Sequence, residues 1–334
     1  MKVLVTGGTG FIGGALARRL KSAGHKVRIF TLPNDPALAT LDTSAFEVYK
    51  GDISNAAQVS EAIKGCAQVF HCAGLVSDWG PRELFWKVNV QGSRNVAEAC
   101  AANKVKRLIY ISTNDVFGLR EDVVMDESFP LAKWGEPYAD SKIDAEEAVW
   151  EVHKRTGLEA TMVFPCWVYG PGDKTFVPLI ADAIQSHSMV FWRKDVLVWP
   201  SYVDNVVDLL LVISKHKAAV GNGYIVHDGE STTFQEFCGV IADTLGYKQP
   251  KLTIPYFLAN AVAVLLTGIW KLLRIKTRPL LTTYTVKNLG SRLKFSIAKS
   301  QKQLGWKPAV KYKDGMQRTM AWLKTMDRKA LKTK

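Results

Sequence analysis

The sequence predicts an α/β protein with a doubly wound parallel sheet and a smaller C-terminal substrate-binding region. Three observations carry this. A glycine-rich turn joins an apolar run to an amphipathic segment at the N-terminus; short apolar β-rich runs then alternate with helical stretches; and the alternation loosens after about Pro171. The expected division is residues 1–170 for the nucleotide-binding sheet and 171–330 for the substrate-binding region, which interleaves with that sheet.

The first unit, "KVLVTGGTGFIGGALARRLKSAGHKVRIF", reads as strand, turn, helix, strand, with Gly7, Gly10 and Gly13 in the turn and Gly24 closing the helix. Glycine lets the backbone turn tightly and approach a pyrophosphate, whose charge then meets the unpaired N–H groups of a helix N-terminus. Further strands are expected in "FEVYKGDIS", "AQVFHCAGLV", "VKRLIYIST" and "LEATMVFPCWVYG", with helices over 55–64 and 88–103 between them. In such a sheet the ligand lies at the carboxyl ends of the strands.

Composition narrows the function classes. With 47% hydrophobic and 22% charged residues, the chain has the makings of a large packed domain rather than disorder. The five cysteines, Cys66, Cys72, Cys100, Cys166 and Cys238, form no CxxC pair, so neither a disulfide framework nor a metal site is expected and a reducing cytoplasm fits. No secretory signal is read at Met1, because Val3 to Val5 lead into glycines rather than a cleavage site. The net charge of +13 is concentrated: from Lys271 onward 18 Lys and Arg face two acids, a net +16, and residues 1–270 net −3. A solvated basic face and attraction to an anionic bilayer both account for this; nucleic acid does not, since no binding motif accompanies the charge.

The chemistry-bearing residues follow the fourth apolar run. Thr113 lies in "YISTNDVFG", at the carboxyl end of that run, and Tyr138 and Lys142 in "PYADSKIDAEEAV" are four apart, on one face of a helix. A lysine beside a phenol is expected to pull the tyrosine pKa down from about 10 toward working pH, making Tyr138 a proton donor and acceptor, while Thr113 orients a carbonyl or alcohol.

With these residues in order, the sequence resembles the extended short-chain dehydrogenase/reductase family. The carrying motifs are TGGTGFIG (6–13), Asp52-Ile53, HCAG (71–74), VNVQGSRNV (88–96), ISTNDVFG (111–118), YADSK (138–142), VYGPGD (168–173) and YVDNVV (202–207). The C-terminal half is most similar to the 3β-hydroxysteroid dehydrogenase and sterol-4α-carboxylate 3-dehydrogenase branch, a layout shared by reductases of long-chain 2-alkyl-3-oxo acids and of dihydroflavonols. The resemblance implies a Rossmann-like fold, catalysis by Thr113, Tyr138 and Lys142, and NAD or NADP as cofactor. It places Phe11 and Ile12 on the pyrophosphate, Asp52 and Ile53 at the adenine, Ala73 and Gly74 under the dinucleotide, Asn89 near the nicotinamide, Lys142 also on the nicotinamide ribose, and Pro165 and Val168 at the nicotinamide end. A homodimer is an expectation carried by the resemblance alone.

Two departures bear on specificity. Thr31 stands where an acid would mark NAD and a basic residue NADP, so the preference stays open, with no carboxylate to repel a 2′-phosphate and no arginine to grip one. Phe164 precedes Pro165 where the family often has Arg, which argues against a sugar-nucleotide epimerase or dehydratase. Intact Tyr138 and Lys142 argue against a dinucleotide-binding protein without chemistry. Trp79, Phe85, Trp86, Trp167, Phe176, Phe191, Trp192, Trp199 and Tyr202, crowded into the segments expected to border the pocket, favour a bulky apolar substrate of the steroid or lipid kind.

The stretch "IPYFLANAVAVLLTGIWKLLRIK" (254–276) is uncharged through Trp270 and then basic. As a helix after Pro255 it falls short of the ~30 Å hydrocarbon core. On a helical wheel Asn260, Thr267, Lys271, Arg274 and Arg278 form a narrow polar stripe on an otherwise apolar segment extending to 278. That surface packs in the core or lies on a membrane, the peripheral attachment expected on the cytoplasmic face.

Overall fold

The computed structural model describes residues 1–39 and 42–326. Seven strands, β1 (Lys2–Thr6), β2 (Lys26–Thr31), β3 (Glu47–Lys50), β4 (Gln68–His71), β5 (Arg107–Ile111), β6 (Ala160–Pro165) and β7 (Gly223–Val226), form one parallel sheet in the order β7-β6-β5-β4-β1-β2-β3. The order reverses between β1 and β4, the crevice where such sheets bind ligands. β1, β4, β5 and β6 are almost wholly buried, because helices cover both faces and leave no polar side for alternation.

The helices on these faces are α1 (Phe11–Ser22), α2 (Ala56–Ile63), α3 (Gly92–Ala102), α4 (Pro137–Thr156) and, past a short helix α5 (Phe176–Gln185), α6 (Val203–Ile213). Asn55 caps α2 by accepting from the N–H groups of Ala57 and Gln58. The expected helix over 88–103 is regular only from Gly92; before it, Trp86–Gln91 forms a π-helical turn, the irregularity that often marks a functional site.

After Pro171 the chain builds a second core in which Tyr169, Val177, Phe237, Ile241 and Met316 interlock, drawing on α5, on α7 (Phe234–Leu245) and on the last helix, Tyr312–Thr325. It also returns to the main sheet as β7, paired with β6. Residues 327–330 of the expected substrate-binding region lie outside the described residues.

The stretch 254–276 forms α8 (Tyr256–Leu272), whose orientation corrects the wheel. The buried residues of α8 are all small, Ala259, Ala263 and Thr267. Thr267, expected on the polar stripe, is therefore buried, and the helix ends before Arg274 and Arg278. The large apolar side chains point outward: Phe257 is 73% exposed, Leu265 62% and Leu272 82%. The small stripe lets α8 approach α9 (Thr283–Asn288) and the turn after it so closely that a Cβ on Gly290 would lie 2.5 Å from the Tyr256 ring. No described helix is long and apolar enough to cross a membrane.

Candidate active site

Because the strands are parallel, the residues following β1 to β6 all emerge at one edge of the sheet, and this brings the scattered motifs together. Gly7 follows β1 with φ +64°, and a Cβ there would meet the Ala73 backbone at 2.9 Å. A Cβ on Gly13 would lie 2.2 Å from the Gly7 carbonyl oxygen. The N-terminus of α1 at Gly10 has no side-chain cap and no acid in its first turn, so its positive end is left for an anion. A backbone cradle intolerant of side chains, opening on an uncapped helix that carries Phe11 and Ile12 in its first turn, fits a dinucleotide pyrophosphate.

The remaining positions flank this cradle. Thr31 ends β2, and its hydroxyl donates to Asp35 at 2.7 Å, so an acid stands beside the strand end, contrary to expectation. Asp52 follows β3 and accepts from the Ser54 N–H at 2.8 Å, and Ile53 is buried against Gly92, where a Cβ would meet it at 2.8 Å. Beneath the cradle, Thr6 Oγ1 accepts from the Ala73 N–H at 3.1 Å and contacts His71 Nδ1 at 2.7 Å, while His71 Nε2 lies 2.9 Å from Ser93 Oγ. Burial, with the Lys142 charge, pushes the His71 pKa down to about 3, so the ring is a neutral structural link.

Asn89, in the π-helical turn, is fully used as a clamp. Its Oδ1 accepts from the Leu75 N–H at 2.7 Å; its Nδ2 donates to the Leu75 carbonyl at 3.2 Å and to Ser141 Oγ at 2.9 Å. It thereby ties the loop after Gly74 to the helix that carries Tyr138. Pro165 closes β6, and Val168 pairs with Ser201 in a short outer ladder.

Thr113, Tyr138 and Lys142, the residues expected to be catalytic, are all buried or half-buried at this end of the sheet, but their electrostatics differ from the expectation. The Thr113 side chain favours ionisation of the Tyr138 phenol, yet the Tyr138 pKa is raised rather than lowered. Burial is the main cause and the charge of Asp115 the second, outweighing the effect of Thr113. Lys142 is turned away from the phenol: its Nζ donates to the Ile111 carbonyl at 2.7 Å and sits 4.1 Å over the Tyr110 ring. Burial lowers the Lys142 pKa, and it raises that of Glu146, one turn on, which accepts from the Ser112 hydroxyl.

Several site residues were not singled out from the sequence. Asp115 is 7% exposed and its carboxyl pKa is raised by burial. It accepts from Tyr284 Oη at 2.6 Å and Asn288 Nδ2 at 3.3 Å, both on α9. The Tyr284 ring stacks on Trp134 at 5.4 Å and meets Tyr138 edge-on at 6.3 Å. Asp78 anchors the same strap: Arg278 grips it bidentately at 2.6 and 2.5 Å, and the Thr282 and Thr285 hydroxyls donate to it at 2.8 and 2.9 Å. Burial opposes ionisation of Asp78, but these partners hold its pKa below the usual carboxylate value. The segment 278–288 is thus fastened beside Tyr138. A lone acid within an apolar run, as in "STNDVFG", was the available signal for Asp115; nothing local marked Asp78 or Tyr284.

The aromatic group divides. Phe85, Phe191 and Tyr202 are core residues, and Trp192 is buried with its Nε1 on the Val286 carbonyl at 3.0 Å. Trp86 donates to Asp144 at 2.9 Å, Trp199 to the Leu293 carbonyl at 2.8 Å, and the Trp167 and Phe176 rings touch at 4.6 Å. Phe164 packs on Phe117 at 5.0 Å within the core, so its identity reports sheet packing rather than substrate charge.

A model of the 3-beta hydroxysteroid dehydrogenase/isomerase family matches residues 4–256, which include every one of the expected site residues. The chain belongs to that family. Like its relatives, this family member is an NAD(P)-dependent oxidoreductase. It is 30% identical to a 2-alkyl-3-oxoalkanoate reductase of Shewanella oneidensis, over 96% of this chain and 85% of that one. It is also 30% identical to a decarboxylating sterol-4-alpha-carboxylate 3-dehydrogenase of Mus musculus, over 96% and 90%. Among solved structures, a UDP-glucose 4-epimerase of Thermotoga maritima superposes with a TM-score of 0.78 at 21% identity, covering 97% of this family member and 99% of the epimerase, a likeness of fold alone. The family match ends before the strap at 278–288 and within the first turn of α8.

Proposed function

We propose that this oxidoreductase interconverts a secondary alcohol and a ketone on a bulky apolar substrate of the sterol or long-chain 2-alkyl-3-oxo acid class. The observation that carries the reading is the Thr113–Tyr138 pair beside the glycine cradle. The nicotinamide, when bound, supplies or accepts the hydride. Tyr138 donates its phenol proton to the carbonyl oxygen in reduction and takes it back from the hydroxyl in oxidation, while the Thr113 hydroxyl orients that oxygen. The raised Tyr138 pKa keeps the phenol protonated at neutral pH, the form reduction needs. Lys142, buried one turn on, would hold the nicotinamide ribose. The region from residue 171 onward, with the strap, covers the substrate.

The test is turnover with NAD and NADP on 3β-hydroxysteroids, sterol 4-carboxylates and 2-alkyl-3-oxo acids. Activity on at least one apolar class supports the reading. No turnover on any of them, with NAD retained through dialysis, would replace it by the sugar-nucleotide chemistry of the epimerase-like folds.

The outward face of α8 extends the reading to a membrane surface. Phe257, Leu258, Val262, Leu265 and Leu272 form an exposed apolar strip, followed at once by exposed Lys271, Arg274 and Lys276. Apolar bulk bordered by cations matches an anionic bilayer, whose headgroups meet the charge while its acyl region takes the side chains. Vesicles containing phosphatidylserine should therefore float the wild-type protein. Leu265→Glu with Leu272→Glu, both at exposed positions, should weaken flotation about 10-fold or more without lowering the melting temperature. Unchanged flotation defeats the membrane reading, as does loss of a homodimer in light scattering with no effect on flotation.

A further inference from the structure

Asp115 brings a fixed charge to the catalytic phenol. It lies two residues after Thr113, in the short helical turn Asn114–Phe117 that follows β5. Its N–H donates to Thr113 Oγ1 at 3.3 Å and its carbonyl accepts from Trp134 Nε1 at 3.1 Å, which pins the backbone. Tyr284 and Asn288 pin the carboxyl, and both are neutral donors, Tyr284 to Oδ2 and Asn288 to Oδ1. A carboxyl met only by donors is favoured in its anionic form, and these two contacts oppose the burial that raises its pKa. The charge reaches the phenol: after burial, it is the second cause of the raised Tyr138 pKa.

Cations at this wall are already engaged. Arg278 is spent on Asp78, and Lys287, between Tyr284 and Asn288 on α9, pairs with the buried Glu136 at 3.0 Å. Lys142 donates to the Ile111 carbonyl. A substrate carboxylate attached next to the reacting carbon would sit a bond or two from the oxygen that Tyr138 protonates, and so beside the Asp115 anion. Like charges in a water-poor pocket repel strongly, and an unbalanced charge of this kind discriminates between ligands of equal shape. An uncharged carbinol or ketone meets no such penalty.

We propose that Asp115, gripped by Tyr284 and Asn288, makes the pocket select uncharged alcohols and ketones over those carrying a carboxylate next to the reacting carbon. The inference rests on the alcohol–ketone chemistry proposed above and narrows its substrate to the neutral members of the apolar class. The test is kcat/KM of the full-length protein on two matched pairs: a 2-alkyl-3-oxo acid and its methyl ester in reduction, and a 3β-hydroxysterol 4-carboxylate and its methyl ester in oxidation. Wild type should favour the ester of each pair by about 10-fold or more. Asp115→Asn, which keeps an oxygen for Tyr284 and removes the charge, should shrink that preference by about 10-fold, chiefly through a lower KM for the acids. Asp115→Ser removes the same charge without an amide and should move the ratio the same way. A purely structural role for Asp115 would instead depress acid and ester alike. Wild-type turnover that is equal within each pair or favours the acids overturns the proposal, as does a ratio unchanged in both variants. Turnover of no member of either pair strikes at the alcohol–ketone chemistry itself.

Discussion

Tyr138→Phe is expected to lower kcat by about 10²- to 10⁴-fold, the usual range for loss of a positioned proton donor, with dinucleotide affinity and melting temperature unchanged. The ring stays: its edge-on contact with Tyr284 at 6.3 Å does not involve the hydroxyl. What disappears is the phenol hydroxyl on which the Thr113 side chain acts. Steady-state turnover on any substrate identified in the panel, with calorimetry of the dinucleotide alongside, makes the measurement. Turnover close to wild type with normal cofactor binding would remove Tyr138 from the chemistry and leave the Thr113 side of the pocket without its proton partner.

Gly13→Ala should have an equally large effect on binding. Alanine favours a helix over glycine by about 1 kcal/mol, and Gly13 lies inside α1, so propensity alone predicts stabilisation. The contact decides otherwise. The new Cβ would lie 2.2 Å from the Gly7 carbonyl oxygen, and the obstacle is backbone, which has no rotamer to change. Gly7 is itself pinned, with φ +64° and the Ala73 backbone 2.9 Å from its own would-be Cβ. The turn has to move as a unit, at the cost of about 1 to 3 kcal/mol typical of overpacking, and the pyrophosphate cradle moves with it. A loss of about 100-fold or more in NAD⁺ affinity is expected by calorimetry. Gly14→Ala is the control: the same gain in propensity, with its Cβ 3.3 Å from the Gly8 carbonyl, a contact small shifts can relieve. Equal affinity in both variants would mean that the glycine spacing serves packing rather than the ligand.

The two results bear on different parts of what was legible. Gly7, Gly10 and Gly13, and the pairing of Tyr138 with Lys142, were readable because each depends on short-range geometry, a tight turn or one helical period. Asp35, Asp78, Asp115 and Tyr284 were not. Asp78 and Arg278 are separated by 200 residues, and Tyr284 and Asp115 by 169, so no local pattern connects them. The direction of the Tyr138 shift was misread for a related reason. Helical spacing puts Lys142 on the right face, but only the packed structure shows its ammonium satisfied by the Ile111 carbonyl and the acid beside the phenol to be Asp115. In α8 the wheel weighed hydrophobicity and missed size: close packing against α9 selects Ala259, Ala263 and Thr267, which turns the larger apolar residues outward.

The sequence by itself determined the parallel sheet, the sheet edge where the motifs gather, the glycine cradle and the shared helix of Tyr138 and Lys142, because apolar period, glycine freedom and helical spacing are local properties of the chain. Only the tertiary structure decided which way Lys142 points, which face α8 bares, how the strap is fastened, and that the end of β2 carries an acid after all. Each of these depends on where burial removes water and which distant partner then satisfies the group left behind.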